Sequence, residues 1–397
     1  MLTCRHPGRH RPAVRVLLIN DSARPHNGGM NRVVVETCDW LARAGHTVGL
    51  VYQDEGPVEV TCPTFALPEG GTPEAFRAQV ESFQPDVIQI HYVRRPGLLT
   101  EAAALRPSCV FLHDQTWFCP SGDRMDRWFN PCHRPHSAQC LFWNYAQGCG
   151  GKHPVGNWQR WRRTEALSVL KTLDRVRLQV ASRFMQQGLE ENGYQTSRVD
   201  LVPLFADPPV VPAQTEPGLL LLPSRLAPGK GVDLALRAMA GLKDVPWKLV
   251  IAGHGNQRGE LQRESAALGL TDRVTFLGEI SPTELHGWYA RAQLVLFPVI
   301  RREPFGLIGV EAMAHGRPIV AFQGGAVDEW LTPGVTGLGV VERTPAAFGA
   351  AVRTLLTAPE RCREMGTAAR QHYAQFHPTA YVERLLESFR RTQAGAR

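Results

Sequence analysis

The amino-acid sequence predicts an α/β protein built from two doubly wound parallel sheets. Three observations carry this expectation. Short runs rich in Val, Ile and Leu alternate with amphipathic stretches of helical period along most of the chain. The alternation breaks once, at the proline-rich "LFADPPVVPAQTEPG" of residues 204–218, and then restarts. The chain has 397 residues, a length that suits two domains better than one.

The elements follow in order. "VRVLLIN" (14–20) has the continuous apolar character of a strand buried on both faces. "GGMNRVVVETCDWLARAG" repeats its apolar positions at helical spacing and stops at Gly45. "HTVGLVYQ", "PDVIQIHY" (85–92) and "SCVFLHD" (108–114) read as further strands. After a long irregular insert come a helix over about 157–172, the strand "VRLQVAS" and a helix from about 183. Beyond the break, "GLLLLPSR", "WKLVIAG", "RVTFLG", "AQLVLFP" and "RPIVAFQ" are strands, with "GVDLALRAMAGL" and "QRGELQRESAALG" as helices between them. Two last helices, 359–374 and 378–393, have no strand after them. The expected organisation is a disordered start (1–12), a first domain over 13–208 with an insert at 115–152, and a linker at 209–217. A second domain covers 218–374, and a C-terminal segment (375–397) packs back on the first domain.

Composition excludes several classes. Hydrophobic residues make up 43% and charged residues 20%, which allows an ordinary core and argues against global disorder. The net charge of +7 is modest for this length; it permits contact with phosphates or an anionic membrane face and requires neither, and no nucleic-acid partner is expected. No apolar run reaches the length of a membrane span. The basic start "MLTCRHPGRHRP" lacks the apolar stretch of a signal peptide. The expected compartment is the cytoplasm, with peripheral contact at the inner membrane face left open. The nine cysteines are then thiols or ligands rather than disulfides.

Ligands of open α/β sheets bind at the carboxyl ends of strands, so the strand-to-helix turns are where chemistry is expected. Gly28 and Gly29 open the first helix and let backbone N–H groups approach an anion, although a flexible tight turn also accounts for them. In "PSRLAPGKG", Arg225 and Lys230 flank a Pro-Gly turn and suit a diphosphate, or are two solvated surface charges. In "IAGHGNQRGEL", Gly253 and Gly255 form either a backbone nest or plain turn chemistry. In "FPVIRREPFGLIGVEAMAHG", Pro304 suits a first helical position, which places Glu303 at the helix cap. The N–H groups of Phe305, Gly306 and Leu307 are then free to bond a ligand, and Glu311 lies among apolar neighbours one to two turns on. Two carboxylates with free amides between them suit a polyhydroxylated ligand.

Together "SRLAPGKGVDLALRA", "IAGHGN", "RVTFLGEIS", "EPFGLIGVEAMAHGRPIVA", "GGAVDEW" and "GVTGLGV" resemble the retaining glycosyltransferases of family 4. These have the GT-B fold, two Rossmann-like domains facing across a cleft. The resemblance runs over about residues 14–390 and is strongest across 219–341. It implies a nucleotide-diphosphate-sugar donor and a saccharide or lipid-linked acceptor, in the synthesis of a cell-surface polysaccharide or glycolipid. By the same resemblance, Arg225 and Lys230 match the pair that binds the donor diphosphate. Glu303 and the amides of Phe305, Gly306 and Leu307 match the group that holds the sugar hydroxyls, and Glu311 the ribose ligand. Gly28 and Gly29 match the loop that approaches the phosphates or acceptor, Gly253 falls at a donor-side turn, and His113 matches a histidine facing the donor sugar. No cofactor is required for catalysis in such enzymes. The same fold carries sugar-nucleotide epimerases and phosphorylases, and a non-catalytic nucleotide-sugar-binding protein would share the donor motifs.

The insert "FCPSGDRMDRWFNPCHRPHSAQCLFWNYAQGCGGK" holds Cys119, Cys132, Cys140 and Cys149. Four thiols in so short a stretch point to a structural zinc ion, to disulfides or to free thiols; the paired knuckle spacing of common zinc sites is absent. Trp117, Trp128, Phe129, Phe142, Trp143 and Tyr145 are either a small core under the loop or a stacking surface for an acceptor sugar. The helix with Trp158 and Trp161 carries arginines that suit solvent or a membrane surface.

Overall fold

A computed structural model describes residues 12–24, 29–54, 58–68, 71–149, 153–207 and 214–395. The expected disordered start, up to residue 11, and the expected linker, up to residue 213, lie outside the described residues. In chain order the first half contains β1 (Arg15–Asn20), α1 (Gly29–Arg43), β2 (Thr47–Tyr52), β3 (Thr64–Ala66), α2 (Pro73–Phe83), β4 (Val87–Ile90), α3 (Leu98–Leu105) and β5 (Ser108–Leu112). Then come α4 (Gln139–Ala146), α5 (Pro154–Leu167), β6 (Arg177–Val180), α6 (Arg183–Glu191) and β7 (Val199–Leu201). The second half runs β8 (Leu219–Pro223), α7 (Val232–Ala240), β9 (Lys248–Ala252), α8 (Arg258–Ala267), β10 (Val274–Gly278), α9 (Pro282–Arg291) and β11 (Leu294–Phe297). It continues with α10 (Leu307–Ala314), β12 (Ile319–Phe322), α11 (Val327–Trp330), β13 (Gly337–Val340), α12 (Pro345–Leu356), α13 (Pro359–His372) and α14 (Pro378–Gly395).

The strands form a seven-stranded sheet, β3-β2-β1-β4-β5-β6-β7, and a six-stranded sheet, β10-β9-β8-β11-β12-β13. Neighbours such as β1/β2, β1/β4, β8/β9 and β8/β11 run parallel. The apolar runs explain this: β8 is buried along its whole length, as a strand covered on both faces requires. In the second sheet the strand order reverses between β8 and β11, so a crevice is expected beyond their carboxyl ends.

By contacts the chain divides into two units. One holds the residues up to Phe111, then Thr172–Gln179 and the chain from Leu385; the other holds Leu112–Lys171 and Val180–Arg384. In the first unit a buried polar chain joins β4, β6 and α14. Gln89 Nε2 donates to Gln179 Oε1 at 2.7 Å, and Gln179 Nε2 donates to Ser388 Oγ at 2.8 Å. The second unit contains the cysteine insert together with the six-stranded sheet. Its main core is built from β8, β9, β11 and β12 against α7, α12 and α13, with Leu220, Leu236, Ile251, Leu296 and Phe348 fully buried.

Several details differ from expectation. The insert is not wholly irregular: a 3-10 turn spans Gln115–Trp117, and α4 forms within it. The helix expected over 157–172 ends at Leu167 and tightens into a 3-10 turn at Ser168–Lys171. The three-residue strands β3 and β7 are too short to show a period and were not expected.

Phe348 packs its ring 5.0 Å from that of Phe322 and is fully buried. Phe348→Ala should cost about 3–5 kcal/mol, read as a lower urea midpoint at unchanged slope. A loss under ~1 kcal/mol would show that this site collapses freely around the cavity.

Candidate functional site at the ends of β8 and β11

The turn after β8 and the turn after β11 are fastened together by main chain. The N–H groups of Ile300 and Arg301 donate to Gly229 O at 3.0 and 3.3 Å. Gly231 adopts φ +70°, and a Cβ there would stand 1.8 Å from Pro298 O, so no other residue fits. This contact sets Lys230 against Glu303, and their side chains form an ion pair in which both are largely buried. Arg225, on the same turn, is exposed and has no ion-pair partner among the described residues. Beneath it, Gly253 takes φ +140°, and a Cβ there would meet Ser224 O at 2.0 Å. The nest-like turn therefore supports the Arg225 loop.

The segment after Glu303 corrects the sequence reading. The helix begins at Leu307, not Pro304, and its cap is Gly306 at φ +89°. Glu303 lies before the cap and turns to Lys230 instead of the helix end. Three carbonyls in this stretch are occupied. Glu303 O accepts from Ala326 N–H at 3.0 Å, Pro304 O from Ser182 Oγ at 2.6 Å, and Phe305 O from Trp330 Nε1 at 2.6 Å. With the carbonyls so held, the N–H groups of Phe305, Gly306 and Leu307 donate to no protein acceptor among the described residues. Trp330 also fills the space above Gly309, where a Cβ would meet the ring at 2.5 Å. Glu311 is buried on α10 and accepts from the Tyr289 hydroxyl at 2.8 Å. Tyr289 stacks on His315, whose Nε2 lies 2.9 Å from His286 Nδ1.

His113 follows β5 and is half-buried; desolvation pushes its pKa down to about 3, so the ring is neutral. Asp114 beside it caps the 3-10 turn by accepting from Thr116 N–H at 2.9 Å. Gly29 opens α1 in the first unit, and Gly28 lies outside the described residues.

Cys119, Cys132, Cys140 and Cys149 line one small cavity of about 30 Å³ with His136. None is in a disulfide. Among the described residues no three such side chains stand arranged to hold a metal ion. Two thiols have local partners: Cys119 Sγ lies 3.1 Å from Ser121 Oγ, and Cys149 donates to Asn144 Oδ1 at 3.3 Å. Burial raises the Cys140 thiol and pushes Cys149 up to about 11, so both are protonated near neutrality. Of the insert's aromatics Trp117 is buried, while Trp128, Phe142 and Tyr145 are exposed.

Sequence reasoning missed Asp123, Gln115 and Arg301. Asp123 pairs with Arg301 at 2.5 Å, and Gln115 Nε2 donates to Arg302 O at 3.3 Å. It also missed a cavity of about 1370 Å³ lined by Trp247, Arg273, Arg317 and Arg370. That cavity opens at the amino ends of β8 and β9, the wrong end of a doubly wound sheet for this chemistry.

Residues 206–372 match the family model for group 1 glycosyl transferases, and residues 28–204 match a glycosyl transferase 4-like domain. A D-inositol 3-phosphate glycosyltransferase of Nocardia farcinica is 30% identical over 400 residues, which span 91% of this chain and 84% of that one. The chain belongs to the group 1 glycosyltransferases, with a 4-like N-terminal half. A D-inositol 3-phosphate glycosyltransferase of Catenulispora acidiphila is 35% identical over 190 residues, 45% of each chain, so this glycosyltransferase aligns with less than half of that relative's length. The GT-B fold is shared with sucrose-phosphate synthase from Thermosynechococcus elongatus (TM-score 0.73, 21% identity, 96% of this chain and 99% of that one). It is shared also with Anabaena HepE, solved with UDP and glucose (TM-score 0.68, 19% identity, 94% and 98%).

In this glycosyltransferase both His113 and His315 are held neutral, each pushed from 6.5 down to about 3, chiefly by burial and for His315 also by His286. The unfolded chain takes up these protons near pH 6.5; the folded protein does so only near pH 3. The unfolded state therefore binds more protons across that window, and stability falls as pH drops through it. Thermal midpoints should decline from pH 6.5 to 4, and His315→Gln should flatten the decline. An equally steep decline in the variant would remove His315 from this account.

Proposed function

We propose that this protein transfers a glycosyl group, with retention of configuration, from a nucleotide-diphosphate-sugar to a saccharide or lipid-linked acceptor. The observation that carries the reading is the Lys230–Glu303 ion pair beside three uncommitted N–H groups, at the point where the sheet order reverses. On donor binding the pair separates: the ammonium turns to the diphosphate with Arg225, and the carboxylate accepts from sugar hydroxyls. The amides of Phe305, Gly306 and Leu307 donate to the same ligand, Glu311 holds the ribose, and neutral His113 faces the sugar.

The bond from the anomeric carbon to the β-phosphate oxygen breaks with oxocarbenium character. The acceptor hydroxyl attacks from the face the phosphate leaves, and its proton passes to a leaving-phosphate oxygen. A glycoside and a nucleoside diphosphate result. Arg225 and Lys230 stabilise the negative charge that grows on the leaving group, a task they perform without a catalytic metal ion. The alternatives, epimerase, phosphorylase or idle binder, have no observation in their favour. The likeness to Anabaena HepE, solved with UDP and glucose, and to D-inositol 3-phosphate glycosyltransferases supports a UDP-sugar as first donor to test and inositol phosphate as a soluble acceptor to test beside lipid-linked ones. No helix among the described residues is long and apolar enough to cross a membrane. The reading is a cytoplasmic enzyme working in cell-surface polysaccharide or glycolipid synthesis, with peripheral contact at the inner membrane face.

A thermal-shift screen with UDP-, GDP-, ADP- and dTDP-sugars identifies the donor. With it, Lys230→Ala should lower kcat/KM on the order of 10²–10³-fold in protein that still unfolds cooperatively; full transfer by this variant would sink the site assignment. For the cysteine cavity the reading is a structural zinc ion that draws the four thiols together as it displaces their protons. Elemental analysis should find about one zinc per chain, lost together with melting temperature in Cys132→Ser. Metal-free protein of undiminished stability would leave the cavity as an ordinary thiol-lined core.

A further inference from the structure

The donor site has a third cation that its motifs do not announce. Arg301 lies between β11 and Glu303, and its N–H is tied to Gly229 O. Its side chain runs across Gly229, where a Cβ would stand 2.3 Å from Arg301 Nε. A glycine at this position is therefore needed for the side chain as well as for the turn, which takes φ +83°. One terminal nitrogen pairs with Asp123 Oδ2 at 2.5 Å. The Nε atom is buried and has no hydrogen-bond partner among the described residues. The guanidinium is thus only partly committed, and it stands on the same two turns as Lys230 and Glu303.

Asp123 comes from the cysteine insert, far from Arg301 in sequence. Burial raises its pKa, and Arg301 and then Lys230 lower it, while Glu303 raises it, so all four charges share one neighbourhood. The two cations and two carboxylates sum to zero, a balance that holds charges in a half-dry site until an anion arrives.

We propose that Arg301 is a donor-diphosphate ligand and that Asp123 is its positioning residue, so that the cysteine insert helps to build the donor site. This rests on the glycosyltransferase reading above. Asp123 occupies one terminal nitrogen and fixes the plane of the fork, leaving the remaining terminal N–H groups for phosphate oxygens. A planar guanidinium so oriented donates two parallel hydrogen bonds that a lysine cannot reproduce.

Inorganic pyrophosphate is the probe, because it presents the diphosphate without base or sugar. By calorimetric titration of the full-length protein, Arg301→Ala should weaken its binding by about tenfold or more, and Arg301→Lys should restore only part of it. Asp123→Asn should weaken it by a smaller factor, and Asp123→Asn should add nothing in the Arg301→Ala background, since Asp123 acts only through Arg301. Melting temperatures measured alongside separate this from a strut that merely docks the insert. A strut would lower the melting temperature of Arg301→Ala and leave pyrophosphate affinity as in the unmodified protein, which overturns the proposal. Tighter binding by Asp123→Asn would show that the carboxylate competes with the ligand, and would overturn the positioning role. Loss of binding in Lys230→Ala but not in Arg301→Ala defeats this inference alone. No binding by the unmodified protein, with the Lys230 and Arg301 variants alike, defeats the donor-site reading and this inference with it.

Discussion

The site depends on one steric contact. The turns after β8 and β11 meet main chain to main chain at Gly231 and Pro298 O, with room for no Cβ between them. That approach brings Lys230 to Glu303 and lays Arg301 over Gly229. A second close approach, Gly325 against the backbone of Glu303, holds the other side of the segment. Side-chain chemistry here is arranged by backbone proximity, and glycine is the means because it alone has no atom in the way.

The same segment shows how amides are kept ready for a ligand. The carbonyls of Glu303, Pro304 and Phe305 are each taken, by Ala326, Ser182 and Trp330. Their partners come from two elements, α11 with its cap and the cap of α6, so the peptide planes cannot rotate without breaking several bonds. Fixed donors of this kind need no reorganisation when charge or a hydroxyl arrives. Paired charges serve the same end: a lysine and a glutamate that neutralise one another cost less to hold half-buried than either alone.

Much of this was legible in the sequence, and the failures are specific. The apolar runs of β1, β8 and β11 and the helical period of α1 and α7 are local signals, and they located those elements. The proline rule failed at Pro304, because a glycine in the left-handed region two residues later, held under Trp330, governs where α10 starts. Asp114, next to His113, caps its own turn. Asp123 carried no signal at all: it lies in a loop without period, and an isolated carboxylate there reads as solvated.

The sequence by itself determined two doubly wound sheets, the strand ends that carry chemistry, and Arg225, Lys230, Glu303 and Glu311 as the residues to watch. These follow from periodicity and punctuation, which act over a few neighbouring residues. Only the tertiary structure decided what each charge faces. Lys230 meets Glu303 across 73 positions, and Asp123 meets Arg301 across 178. Coulomb attraction depends on distance through space, and no local pattern in the chain encodes a separation of that kind.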